Sequence, residues 1–398
     1  MVIYALINKE VIPYVCTEKK VTKEYLYTST KLNMDKLDRW LDINDPTLPT
    51  ILQAKKLAKC LHIPFAGLYM NTVDIKIKSI PSIRNYRTFD GRLSIDDSSL
   101  NIAIVDVLQE RDFLIEQSAE LGIPLPKLSV PACSSDDPIK WATTIREFYS
   151  ISISDQYKCT SPRQFYLYIR EKLEHRGVFV QCFTDVPIEL VRAYSIFEEM
   201  LPIIGINDED RPPAKSFSLI HELVHLLKRE SSLCNIMFNA VSSQKEEVFC
   251  NAVAGELLVP WEAMRIILNS GNYRKPYSLA EISAIAKKFS VSREVIIRRL
   301  FDCGQIDNVE YDTYSDAFRK EIEKDREAQK LARKAGLKTG IPQSISREAI
   351  DRTSPAVCRA LYYGFAEEIY SKRDIAQHLG IAQKHVDKFL REVSKWNS

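Results

Sequence analysis

Two histidines four residues apart, His221 and His225, bracket a glutamate in the run His221-Glu222-Leu223-Val224-His225. On a helix, residues four apart lie one above the other, so both imidazoles project to one side and can grip a single metal ion. Glu222 follows the first histidine and can reach a water held there. Zinc lowers the pKa of such a water towards 7, and a neighbouring carboxylate can then remove its proton. The chemistry implied is metal-assisted hydrolysis with Glu222 as general base. The chain has six histidines in all, so a chance H-E-x-x-H is improbable.

The surrounding residues support a buried site. Leu219, Ile220, Leu223, Val224, Leu226 and Leu227 make the segment apolar on nearly all sides, the pattern of a helix inside a core. Two imidazoles and a carboxylate there need partners, because unpaired burial costs several kcal/mol, on the order of 2–7. A metal ion is such a partner. Catalytic zinc commonly takes three protein ligands and keeps one position open. His62, His175, His378 and His385 stand far off in sequence, whereas Glu246 to Pro260 (EEVFCNAVAGELLVP) reads as an apolar helix with an acidic start. Glu247 shares a helical face with Cys250, Asn251 and Ala254. Glu246 and Glu256 are its rivals for the third ligand position.

The elements that must position these residues follow from periodicity. Pro212-Pro213 introduces the H-E-x-x-H helix from about Ala214, since proline is tolerated in the first turn. A helix near Phe165 to His175 leads through Gly177 into the β-rich run Val178 to Phe183. Leu201 to Ile206 is a second strand-like run, and its Pro202 points to a sheet edge. Strands followed by the key helices predict an α+β core. The spacing divides the chain into a helical domain at 1–75, a connector with one helix near Leu100 to Leu121 at 76–140, a metal-site core at 141–270, and a helical region at 271–398. In the first unit, Val21 to Thr28 and Met34 to Leu41 bracket a turn at Lys31 to Asn33, with Thr50 to Leu61 as support. That is a helix-turn-helix-like pattern, and a plain helical bundle fits it as well. Near the C-terminus, Arg373 to Leu390 repeats the pattern, either as a DNA reader or as a small packing subdomain.

Composition narrows the classes. Lys and Arg number 55 against 53 acids, a formal charge of +2, so no global field favours a polyanion or a membrane surface. Met1 to Lys9 lacks the features of a secretory signal, and no run approaches a membrane span. Nine scattered cysteines without a C-x-x-C pair suit reduced thiols. A cytoplasmic location without membrane association is the expectation.

The segment from Arg192-Ala193-Tyr194-Ser195, through the strand ending at Ile206-Asn207, into SFSLIHELVHLL and EVFCNAVAGELLVP resembles the ImmA/IrrE-type metallo-endopeptidases. The resemblance implies a zincin-like fold with zinc as cofactor. It places His221, His225 and Glu247 as ligands and Glu222 as the catalytic base. It also implies a protein substrate, a repressor encoded nearby, cut in response to stress or DNA damage. Asp45-Pro46-Thr47 and Leu57 to Met70 are similar to the helix-turn-helix region often fused ahead of such peptidases. Lys287 to Leu300 is similar to their helical tail. DNA contact would run through residues 20–60, although the expected reading helix MDKLDRWL carries two acids against two bases, poor for phosphate contact. Three further expectations complete this reading. Substrate would add as a strand along Ile203, Ile204, Gly205, Ile206 and Asn207. Cys234 could reach the open metal position as a thiolate latch. Tyr194 or Arg192 could stabilise an oxyanion. The alternative is a DNA-binding or protein-binding regulator, such as an anti-repressor, whose metal site is not catalytic.

Overall fold

The computed structural model describes residues 3–78, 80–81, 84–85, 98–131, 135–229, 231–234, 245–270, 273–334 and 344–396. It is α+β and mostly helical, as the pattern predicts. Four helices open the chain: α1 (Val11–Glu18), α2 (Lys23–Thr30), α3 (Met34–Leu41) and α4 (Ile51–Cys60). Lys31 turns α2 into α3 through a left-handed backbone (φ 53°). Thr50 caps α4 in a reciprocal capping box with Gln53, which satisfies two end groups of the helix at once. A short strand β1 (Arg84–Asn85) and the long α5 (Ser98–Glu120) follow.

The middle of the chain builds the sheet and the helices around it. α6 (Pro138–Phe148), α7 (Ile153–Lys158) and α8 (Pro162–Glu174) precede β2 (Phe179–Phe183), β3 (Ala193–Ile196) and β4 (Ile203–Asn207). Then come α9 (Pro212–Leu227), β5 (Ser232–Cys234) and α10 (Lys245–Leu258). Among the described residues the five strands form one sheet in the order β1-β5-β3-β4-β2. β4 runs parallel to β2 and antiparallel to β3, and β3 is antiparallel to β5. Proline at the start of α9 spares a backbone donor that would otherwise lack a partner.

The sheet separates two apolar layers. Strand side chains alternate between faces: Val180, Ala193, Ile204 and Ile206 join α8, α9 and α10 on one face. Phe179, Phe183, Tyr194, Ile196 and Ile203 face α5 on the other. A third cluster, of residues Ala5 to Leu68 with Ile102 of α5, is the core of the N-terminal helices.

Two expectations need correction. The substrate strand Ile203, Ile204, Gly205, Ile206 and Asn207 is not an edge. β4 is paired on both sides, so its N–H and C=O groups already have strand partners. All five residues are buried. Pro202 lies just before the ladder, where its carbonyl accepts from Phe179 N–H and its missing donor costs nothing. The boundary near 270 is not a break in packing either. α12 (Leu279–Phe289), α13 (Arg293–Asp302) and part of α14 (Asn308–Lys334) share the core of α9, through Ile285, Ile296, Leu300 and Phe318 among others; α11 (Trp261–Leu268) closes that core with Met264. The last helices, α15 (Ile345–Arg352), α16 (Pro355–Ala366), α17 (Lys372–His378) and α18 (Val386–Ser394), instead join α5 on the far face, with Val357, Leu361, Ile375 and Phe389 buried there.

Candidate metal centre

α9 is buried along its whole length from Lys215 to Leu227, enclosed by α8, α10, β3 and β4. Its His221 and His225 carry no exposed surface, and their Nε2 atoms lie 3.2 Å apart. Glu247 of α10 reaches across to both. Its Oε2 is 3.3 Å from His221 Nε2, and its Oε1 is 3.1 Å from His225 Nε2. The three side chains are the cluster able to hold a metal ion among the described residues.

The spacing of that cluster tests the fit. Ligand atoms about 2.0–2.2 Å from a tetrahedral metal ion must stand roughly 3.3–3.6 Å from one another. The two imidazole nitrogens, 3.2 Å apart, and the distance from each to one of the two Glu247 oxygens, 3.3 and 3.1 Å, are close to that spacing. Burial pushes the Glu247 carboxyl up, but hydrogen bonds and charge from His221 and His225 outweigh it and hold the group well below the usual carboxylate range. An ionised carboxylate beside two imidazole nitrogens is a donor set suited to a divalent cation.

The rivals for the third position are engaged elsewhere. Glu246 pairs with Lys228. Glu256 takes the guanidinium of Arg299 and accepts from Trp261 N–H at 3.1 Å. Two other histidines are also distant, His62 bound to Asp106 at 2.5 Å and His378 to Glu110 at 2.8 Å.

A supporting layer sits behind the ligands. His221 Nδ1 lies 3.0 Å from Asn251 Oδ1. The amide oxygen only accepts, so Nδ1 carries a proton, and with a metal bound Nε2 would be the nitrogen that offers its lone pair. Cys250 Sγ stands 3.9 Å from His225 Nδ1. Both belong to the face of α10 that carries Glu247, and spacing had placed them on that face without giving them a role.

Glu222 is also fully buried. Its Oε2 accepts a hydrogen bond from Ser232 of β5, and its Oε1 has no partner among the described residues. Behind Ser232 stands Ser195 of β3, hydroxyl to hydroxyl at 2.8 Å. Ser195 fell within the run that carries the resemblance, but nothing in that run assigned it a role, and Ser232 lay in no motif.

The remaining expected residues do other work. Asn207 donates to the carbonyls of Val186 and Val191 at 2.9 and 2.8 Å and accepts from Glu209 N–H at 3.0 Å, so it ties the loop before β3 to the turn before α9. Gly205 makes room for an aromatic ring: a Cβ there would stand 2.3 Å from Tyr194 Cζ. That ring stacks on Phe183 in the layer facing α5, away from α9. Arg192 binds Asp210 at 2.9 Å. The two residues considered for oxyanion stabilisation are thus committed to packing and to an ion pair. Cys234 pairs through its backbone with Ala193, and its side chain lies outside the described residues.

One comparison agrees with this geometry. Residues 174–301 match the Peptidase_M78 family model, the IrrE N-terminal-like domain. The matched IrrE N-terminal-like segment runs from the end of α8 to α13 and contains all three cluster residues and Glu222. It supports an ImmA/IrrE-type, metallopeptidase-like function for this part of the chain. Among curated proteins none matches. No helix among the described residues is long and apolar enough to cross a membrane.

Proposed function

We propose that the chain is a zinc-dependent endopeptidase that cuts a partner transcriptional regulator, a repressor encoded nearby, in response to stress or DNA damage. The observation that carries the catalytic part is Glu222. It is a buried carboxylate beside His221 of the ligand-spaced cluster, with one oxygen held and the other without a partner among the described residues. A purely structural metal site needs no such base. Two imidazoles and a carboxylate fit zinc, which when bound would polarise a scissile carbonyl and make water acidic enough to attack it.

His221, His225 and Glu247 would hold the ion, with Asn251 fixing the His221 tautomer. Glu222 would take the proton of the attacking water and pass it to the departing amine, general acid–base work worth about 10²–10⁴-fold. The choice of a repressor as substrate rests on the resemblance of the sequence to ImmA/IrrE-type enzymes. Of the N-terminal helices we propose a recruiting role, either for DNA or for that regulator.

The test pairs the wild type with Glu222→Gln, each co-expressed with repressors encoded next to the gene, and reads cleavage by mass spectrometry after DNA damage. A partner cut by the wild type and intact with Glu222→Gln, at equal zinc content, is the expected result. Equal inactivation by both proteins without a cut would replace this reading with a binding regulator.

A further inference from the structure

A short chain of hydroxyls runs from the sheet to Glu222. In the antiparallel β3–β5 pair, Ser195 stands directly opposite Ser232, and residues so placed project their side chains to one face, close together. Their hydroxyl oxygens are 2.8 Å apart, and Ser232 donates to Glu222 Oε2. None of the three residues has exposed surface.

The direction of this chain follows from counting protons. A serine hydroxyl has one hydrogen to give. That of Ser232 is committed to a carboxylate, which can only accept when ionised, so at the serine pair Ser195 donates and Ser232 accepts. Accepting one bond strengthens the bond that Ser232 gives. The result is asymmetric: Oε2 is anchored, while Oε1 is equally buried and has no partner among the described residues. A buried oxygen left in that state is costly and calls for an explanation.

We propose that Ser232, backed by Ser195, is the positioning residue for the general base. It holds Glu222 by Oε2 so that Oε1 is the oxygen offered to the attacking water. The terminal torsion of a glutamate is soft and nearly two-fold, so helix packing alone does not decide which oxygen faces the reacting atoms. The bond from β5 does. The register enforces this by setting Ser232 directly opposite Ser195. This inference rests on the peptidase reading.

The experiment has two arms. In the metal-free protein, carboxyl-labelled glutamate gives a carbon resonance for Glu222, assigned by its loss in Glu222→Gln. At neutral pH Ser232→Ala is expected to move that resonance, Ser195→Ala to move it less, and Ser232→Thr to leave it near its original place. In the zinc-loaded protein acting on β-casein, Ser232→Ala is expected to lower kcat about 10- to 100-fold with KM within about twofold. Ser232→Thr, which keeps the hydroxyl, should restore most of the loss. A resonance that stays put in Ser232→Ala overturns the proposal. So does a Ser232→Ala protein faster than wild type, because the serine would then restrain Glu222 rather than aim it. If the resonance moves but the wild type cuts no casein and no regulator, the hydrogen bond stands and the peptidase reading falls.

Discussion

Replacing Asn251 with alanine should weaken zinc binding without removing a ligand. The amide oxygen, 3.0 Å from His221 Nδ1, fixes which ring nitrogen is protonated. Without it the imidazole must find its own tautomer and ring angle, while Nε2 must still meet Glu247 Oε2 at 3.3 Å and His225 Nε2 at 3.2 Å. Losing such a partner typically costs 10- to 100-fold in metal affinity, which is about 1.4–2.8 kcal/mol at 1.4 kcal/mol per tenfold. Competition with a chromophoric chelator measures this directly. Asn251→Asp supplies the control, since a carboxylate still accepts from Nδ1 and should keep affinity at or above wild type. Equal affinity for Asn251→Ala and wild type would refute the reasoning, for it would mean that packing alone orients His221.

Three further outcomes follow from the same geometry. Zinc added to the metal-free protein at about a thousand times its Kd should stabilise it by about 4 kcal/mol, a rise of roughly 10 °C in Tm for the cooperative unit around α9, seen by scanning calorimetry. Glu247→Gln should lower zinc affinity at least about 100-fold, whereas Glu256→Gln should leave affinity unchanged and instead lower the urea midpoint, because it strips the buried Arg299 of its ion pair. The third concerns acid. Asp208, held by Lys215 at 2.8 Å and Arg352 at 2.5 Å, is raised by burial but pulled further down by those two cations, below its ordinary value of 3.8. Its folded pKa is the lower one, so its contribution is complete above pH about 4 and fades as pH falls through the folded value. Asp208→Asn should therefore flatten the loss of stability below pH about 4 in urea titrations at stepped pH.

Some of this molecule is a local property of its sequence. The H-E-x-x-H spacing determines that two imidazoles share a helical face, because 3.6 residues per turn is a property of one element. The same holds for the first helices, where the expected 34–41 is the observed α3, and for the apolar runs that became β2 and β4. The resemblance of EVFCNAVAGELLVP to a known motif singled out Glu247, which position alone had favoured only modestly over Glu246 and Glu256.

Tertiary structure decided the rest, because it depends on pairs brought together across the chain. Lys228 and Arg299 claim Glu246 and Glu256, and no pattern within α10 announces partners 18 and 43 residues away. β4 lies inside the sheet because β2 and β3 close on it from both sides. Its unbroken run Ile203-Ile204-Gly205-Ile206 was the available sign, since a strand buried on both faces shows no polar alternation. Pro202 drew attention from that sign. Ser195 and Ser232 meet Glu222 through a strand register, and a register relates two segments rather than belonging to either.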